Sequence, residues 1–88
     1  MSANIDQLKK KIIYRSNYRG TKEMDKLLGA FTKKYIDELS LNDLSELDEL
    51  LNIDDTNLYN FYNGLDYDIK INDNYIYSLF KNFVYKID

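Results

Sequence analysis

The sequence predicts an all-α fold, a small bundle of five short helices. Three observations carry this expectation. Proline is absent and glycine occurs only three times in 88 residues, too few turn-forming residues for a strand-rich fold with many tight reversals. Apolar residues recur at intervals of three and four along five separate segments, which is the period of one helical face. The one stretch that alternates like a strand, Leu65-Asp66-Tyr67-Asp68-Ile69-Lys70-Ile71, has no second strand to pair with and reads as an extended connector. A single helical domain over residues 1–88 is expected.

The first helix is predicted over residues 5–17, with Ile5, Leu8, Ile12 and Ile13 inward. Asn4 offers an N-cap with Gln7 three residues on, and Gly20 offers a left-handed stop just beyond. The second, over 22–39, has the clearest stripe: Met24, Leu27, Leu28, Phe31, Tyr35 and Leu39. Thr21 is its cap, Glu23 and Asp25 favour its positive end, and Lys33 and Lys34 lie nearer the other. Gly29 inside it costs about 1 kcal/mol relative to Ala, so a close helix contact or a bend is expected there.

Ser40 caps a third helix over 41–52, with Leu41, Leu44, Leu47, Leu50 and Leu51 inward. Asp54 or Asp55 caps a fourth over 56–63, with Leu58, Phe61 and Tyr62 inward, stopped by Asn63-Gly64. Asn72 or Asp73 opens a fifth over 74–87, with Ile76, Leu79, Phe80, Phe83, Val84 and Ile87 at helical spacing. Phe31 and Phe61 are therefore expected to be structural.

Composition narrows the chemistry. Cysteine and histidine are both absent, which removes thiol nucleophiles, iron–sulfur clusters, most zinc sites and the commonest general base. Carboxylate pairs such as Asp54/Asp55 and Glu46/Glu49 read as helix caps and solvated surface rather than acid–base machinery. No apolar run approaches the roughly 20 residues of a membrane span. The N-terminal residues resemble neither a signal peptide nor a transit peptide, so a bacterial cytoplasmic location, no membrane partner and a monomer are expected.

The net charge of −3 conceals a strong asymmetry. Residues 1–36 hold nine Lys/Arg against three Asp/Glu, whereas residues 37–68 hold ten Asp/Glu and no Lys/Arg. Either the basic end meets an acidic partner, or the two segments lie together and neutralise one another. Lys9, Lys10, Lys11, Arg15 and Arg19, with Tyr14 and Tyr18 interleaved, form a basic stretch of the sort that binds nucleic acid. The overall acidity and the adjoining acidic segment argue against that partner.

The chain's only two arginines lie in Tyr14-Arg15-Ser16-Asn17-Tyr18-Arg19-Gly20-Thr21-Lys22-Glu23-Met24-Asp25, whereas the chain holds ten lysines. A guanidinium offers a planar fork of donors that an ammonium lacks, and a neighbouring glycine admits close backbone approach. The alternative is that Gly20 is a helix stop, Glu23 an N-terminal helix charge, and both arginines solvated.

This segment resembles the small bacterial and mitochondrial FAD assembly factors of succinate dehydrogenase, the SdhE type. Their Arg-Gly-x-x-Glu signature appears as Arg19-Gly20-Thr21-Lys22-Glu23, followed by Met24-Asp25. A second block, Leu50-Leu51, Asp54-Asp55 and Leu58-Tyr59-Asn60-Phe61, matches at the right separation. Thr21 stands where the family commonly has Met, and Phe61 where it commonly has Trp. The resemblance implies a chaperone rather than an enzyme. It implies binding to the flavoprotein subunit of succinate dehydrogenase, and often to that of fumarate reductase, and promotion of covalent FAD attachment to that subunit. It further implies that FAD is the client's cofactor, with none bound tightly by this chain, and that Arg15, Arg19, Gly20, Lys22, Glu23 and Asp25 form the partner-binding set. An antitoxin-like or nucleic-acid-binding regulatory role is the alternative function.

Overall fold

The computed structural model describes residues 2–71 and 73–85, and among them it contains five helices and no strand. They are α1 (Ser2–Asn17), α2 (Lys22–Tyr35), α3 (Leu41–Leu50), α4 (Asp55–Tyr62) and α5 (Tyr75–Lys81). The Cα radius of gyration is 12.5 Å. Helix α1 packs chiefly on α2 and α3, while α5 packs on α3 and α4.

The apolar stripes meet in one core of Ile12, Met24, Leu27, Leu28, Phe31, Leu44, Leu47, Leu50, Leu58, Ile76 and Phe80 with their neighbours. Phe31 and Phe61 are both buried, as the periodicity predicts. Phe31 presents ring edges to Phe80 and Phe83 at centroid distances of 5.3 and 5.4 Å. Phe80 in turn lies near Tyr62 and Phe61. This aromatic cluster fastens α5 against α2 and α4, and edge-to-face geometry adds to the burial energy.

Three inward assignments do not hold. Ile13, Leu41 and Val84 are exposed: Ile13 and Leu41 at the margin of their stripes, where a step of 100° per residue carries the side chain past the contact, and Val84 because it lies beyond the end of α5. Ile87 lies outside the described residues.

The helix ends differ from the apolar pattern for local reasons. Helix α1 begins at Ser2, so Asn4 is inside it rather than capping it; the stripe marks only the packed part of a helix that continues upstream. Helix α2 stops at Tyr35, one turn short of Leu39. The chain turns at 36–38 with Ile36 buried, because Ser40 must be extended (ψ 168°) to cap α3 through Asp43 N. Helix α3 ends at Leu50, with Leu51 as its C-cap. Helix α5 is capped by Asn74 rather than Asp73, Asn72 lying outside the described residues, and it ends at Lys81. Beyond that end Phe83 turns back to the core and its carbonyl accepts the Tyr62 hydroxyl.

Glycine serves two different needs. Gly64 has φ +72°, and the Leu65 N–H returns to the Asn60 carbonyl at 2.8 Å, the left-handed helix stop expected after Asn63. Gly20 is no such stop, since Gly64 alone has positive φ among the described residues. The contact expected at Gly29 is present: a Cβ there would lie 2.6 Å from Asn17 Oδ1. Beside it the buried Ser16 and Thr32 hydroxyls bond at 2.7 Å across the α1–α2 crossing.

The fourth helix is capped by Asp54, whose carboxylate accepts from Asn57 N and Asn57 Nδ2. These bonds, the side-chain one foremost, lower its pKa from the ordinary 3.8. A carboxylate lowered on folding stabilises the fold above its unfolded pKa, and that contribution disappears as pH falls through the lower folded value. Asp54→Ala should therefore melt below wild type at pH 7, with the gap closing in acid below the ordinary carboxylate range. Paired thermal melts across that range check the sign.

Candidate functional site

The loop between α1 and α2 is clamped to the junction of α3 and α4 by Arg19. Helix α3 ends with carbonyls that lack intrahelical partners, as every helix C-terminus does. Arg19 Nη1 donates to the Leu51 carbonyl at 2.8 Å and Nη2 to the Ile53 carbonyl at 2.6 Å. Its Nε donates to Asp55 Oδ1 at 2.8 Å. The other carboxylate oxygen of Asp55 accepts the Gly20 N–H at 2.7 Å. The guanidinium thus sits at the negative end of α3, and the Asp55 carboxylate sits in the first turn of α4, each where the helix dipole favours it. Both side chains are largely buried, 10% and 17% exposed.

Gly20 is needed here for space. A Cβ on it would lie 3.0 Å from Asp55 Oδ2, against the oxygen that its own amide engages. Asp25 accepts the backbone N–H of Arg19 and closes the loop from the α2 side. Arg15 repeats the device: Nη1 donates to the Asp48 carbonyl and carboxylate at 3.1 and 2.6 Å, and Nη2 donates to Asn52 Oδ1 at 2.6 Å.

The residues singled out in the sequence therefore divide into two groups. Arg15, Arg19 and Asp25 spend hydrogen-bonding groups inside the chain, which corrects the alternative reading of both arginines as solvated. Gly20, Lys22 and Glu23 are exposed, and among the described residues the Lys22 and Glu23 side chains make no hydrogen bond or ion pair. Asp55, read from the sequence only as a possible cap, is the keystone. Its signal was the doubled Asp54-Asp55: one carboxylate suffices for a cap, and the second is free for another task.

Glu23 overlooks a shallow open groove of about 190 Å³ between α2 and α4, lined also by Thr21, Met24, Asp55, Thr56 and Tyr59. It continues past Leu27, Tyr62 and Tyr85 as a second depression of about 330 Å³ that shares Glu23, Met24 and Tyr59. The apolar floor and acidic rim suit a protein segment. Among the described residues no cluster of three or more acidic side chains could hold a metal ion, and no helix is long and apolar enough to cross a membrane.

Internal pairing joins part of the two charged segments. Lys9–Asp37, Lys11–Asp48, Arg15–Asp48 and Arg19–Asp55 each join a cation of residues 1–36 to an acid of residues 37–68. Four of the five cations in the basic stretch are thereby engaged, which removes most of the electrostatic case for nucleic acid.

Fold and site together define a small helical domain whose exposed Gly20–Glu23 ridge is braced by an arginine–aspartate clasp. The family model for the flavinator of succinate dehydrogenase matches residues 10–84, and the chain belongs to that family. It is similar to mitochondrial succinate dehydrogenase assembly factor 2 of Lodderomyces elongisporus, 38% identical over 62% of this chain and 34% of that protein. The protein of the same name from Meyerozyma guilliermondii is 39% identical over 69% and 44%, and that of Saccharomyces cerevisiae 38% identical over 62% and 34%. The aligned part spans less than half the length of these relatives. No solved structure matches the chain. The expectation of a bacterial cytoplasmic location is overturned by these relatives, all of which are mitochondrial yeast proteins.

Proposed function

We propose that this protein is an assembly factor that binds the flavoprotein subunit of succinate dehydrogenase and promotes covalent attachment of FAD to it. Family membership supports the class of function. The observation that carries the reading to particular residues is the Gly20–Glu23 ridge, exposed beside a groove yet held from beneath by Arg19 and Asp55. Such bracing fixes the ridge before binding, so little conformational entropy is lost on association.

On this reading the factor contributes no bond-forming group. The flavoprotein and its FAD supply the chemistry, and the factor holds the reacting groups of its client in attack geometry. Glu23 and Lys22 contact the client directly, the exposed Gly20 lies at the start of the same ridge with its amide held by Asp55, and Arg15, Arg19 and Asp25 hold the ridge in shape. The flavin stays with the client. The three glycines of this chain, at 20, 29 and 64, are too scattered for a phosphate cradle, and the open groove could not enclose a dinucleotide.

Glu23→Lys tests the assignment, because Glu23 is exposed and its replacement leaves the core intact. Reversing a charge at an interface costs several kcal/mol, so flavinylation of the purified flavoprotein subunit, read as protein-bound flavin fluorescence, should slow at least tenfold with an unchanged melting temperature. Flavinylation at the wild-type rate would refute the role of Glu23.

A further inference from the structure

The chain beyond α5 runs back along the core to the groove. The Phe83 ring is buried, with its edges toward Phe31 and Tyr35 at 5.4 and 6.3 Å, and its N–H donates to the Phe80 carbonyl at 3.1 Å. These contacts fix the chain as far as the Phe83 Cα. Val84 is 74% exposed and anchors nothing. Tyr85 is nevertheless half-buried against the core, and it lines the same depression as Glu23, Met24, Leu27 and Tyr59.

One peptide plane sets the path from Phe83 to Tyr85. A peptide unit is planar, so the direction of the Phe83 carbonyl fixes the plane in which the chain leaves toward Val84. That carbonyl accepts the Tyr62 hydroxyl. Tyr62 is the last residue of α4, and its ring lies 5.1 Å from that of Phe80 in the core, so the donor itself is held in place. Among the described residues neither Val84 nor Tyr85 makes a hydrogen bond of its own. The Tyr62–Phe83 bond is therefore the last polar tie before Tyr85.

We propose that Tyr62 and Tyr85 work as one device: the Tyr62 hydroxyl orients the tail, and Tyr85 thereby forms the far wall of the groove, where it packs against an apolar segment of the client held at its near end by Glu23. This rests on the proposed flavoprotein partnership and deepens it. The occupant follows from continuity. The depression that Tyr85 walls and the one beside the Gly20–Glu23 ridge share Glu23, Met24 and Tyr59, so a client held at the ridge reaches Tyr85 without crossing a gap. Tyrosine supplies much contact area with few rotatable bonds. A wall set before binding also spares the entropy of ordering the tail on association. Tyr62 is thus a positioning residue and Tyr85 the contact.

The test titrates the recombinant flavoprotein subunit against wild type, Tyr62→Phe, Tyr85→Ala, Tyr85→Phe, the double variant Tyr62→Phe/Tyr85→Ala and Glu23→Lys, with a thermal melt of each. Tyr85→Ala should bind about tenfold more weakly, the scale of a truncated aromatic contact, and Tyr85→Phe should restore binding because the ring makes the contact. Tyr62→Phe keeps the ring that packs on Phe80 and removes only the hydroxyl. It should melt within about 8 °C of wild type and lower affinity by up to about fivefold, the population shift that one hydrogen bond can produce. The double variant should bind no more weakly than Tyr85→Ala, since orienting a side chain that is gone gains nothing. Multiplied losses in the double variant would show Tyr62 acting on the client by itself, and wild-type affinity in Tyr62→Phe would remove its positioning role; either result overturns the device. If Glu23→Lys loses binding while Tyr85→Ala keeps it, the far wall is refuted and the ridge stands. If wild type itself fails to bind the subunit, the partnership and this wall fall together.

Discussion

Arg19→Ala is expected to lose about 3 kcal/mol of stability, because removing one partner of a buried ion pair leaves the other charge desolvated and uncompensated. Three acceptors lose their donor at once: Asp55 Oδ1 and the carbonyls of Leu51 and Ile53. For a domain of this size that is a large share of the total. Urea denaturation of Arg19→Ala, Asp55→Ala and the double variant should show a coupling energy of about 1–3 kcal/mol. Additive losses would mean that the clasp is not a unit. Arg19→Lys should recover little, since one ammonium cannot reach three acceptors with a planar fork. Loss of flavinylation in Arg19→Ala would then follow from a loosened ridge, and Glu23→Lys separates that effect from direct contact.

Phe31→Ala should cost about 3–5 kcal/mol, the range for emptying a fully buried phenylalanine site. Phe31 is 0% exposed and touches rings on two sides of the core, with Tyr35 at 5.2 Å, Phe80 at 5.3 Å and Phe83 at 5.4 Å. Because Phe80 and Phe83 belong to α5 and the segment after it, the cavity would loosen the C-terminal helix first. Denaturant melts followed by far-UV circular dichroism give the loss, and amide hydrogen exchange should show residues 75–81 losing protection ahead of α3. A loss below about 1 kcal/mol, the scale of an ordinary surface change, would contradict the central position of Phe31.

What the sequence by itself determined was whatever repeats locally. The number of helices and their inward faces follow from three-and-four spacing, which the chain displays within each segment. The caps at Thr21 and Ser40 and the stop at Gly64 follow from side chains or backbone freedom acting within a few residues. The Arg-Gly-x-x-Glu segment was legible as a special place because the two arginines are concentrated there.

Tertiary structure alone decided what that segment does with its groups. The partners of Arg19 lie 32 to 36 residues away, and no local pattern encodes such a distance. The choice of Asp54 over Asp55 as cap was equally invisible, since either carboxylate satisfies the local rule. Only the arrival of the α1–α2 loop at the α3–α4 junction gives Asp55 a guanidinium and an amide to bind. The ends of α2 and α5 were set the same way: an apolar stripe shows which residues seek the core, not whether they reach it within a helix or, like Ile36 and Phe83, just after one ends.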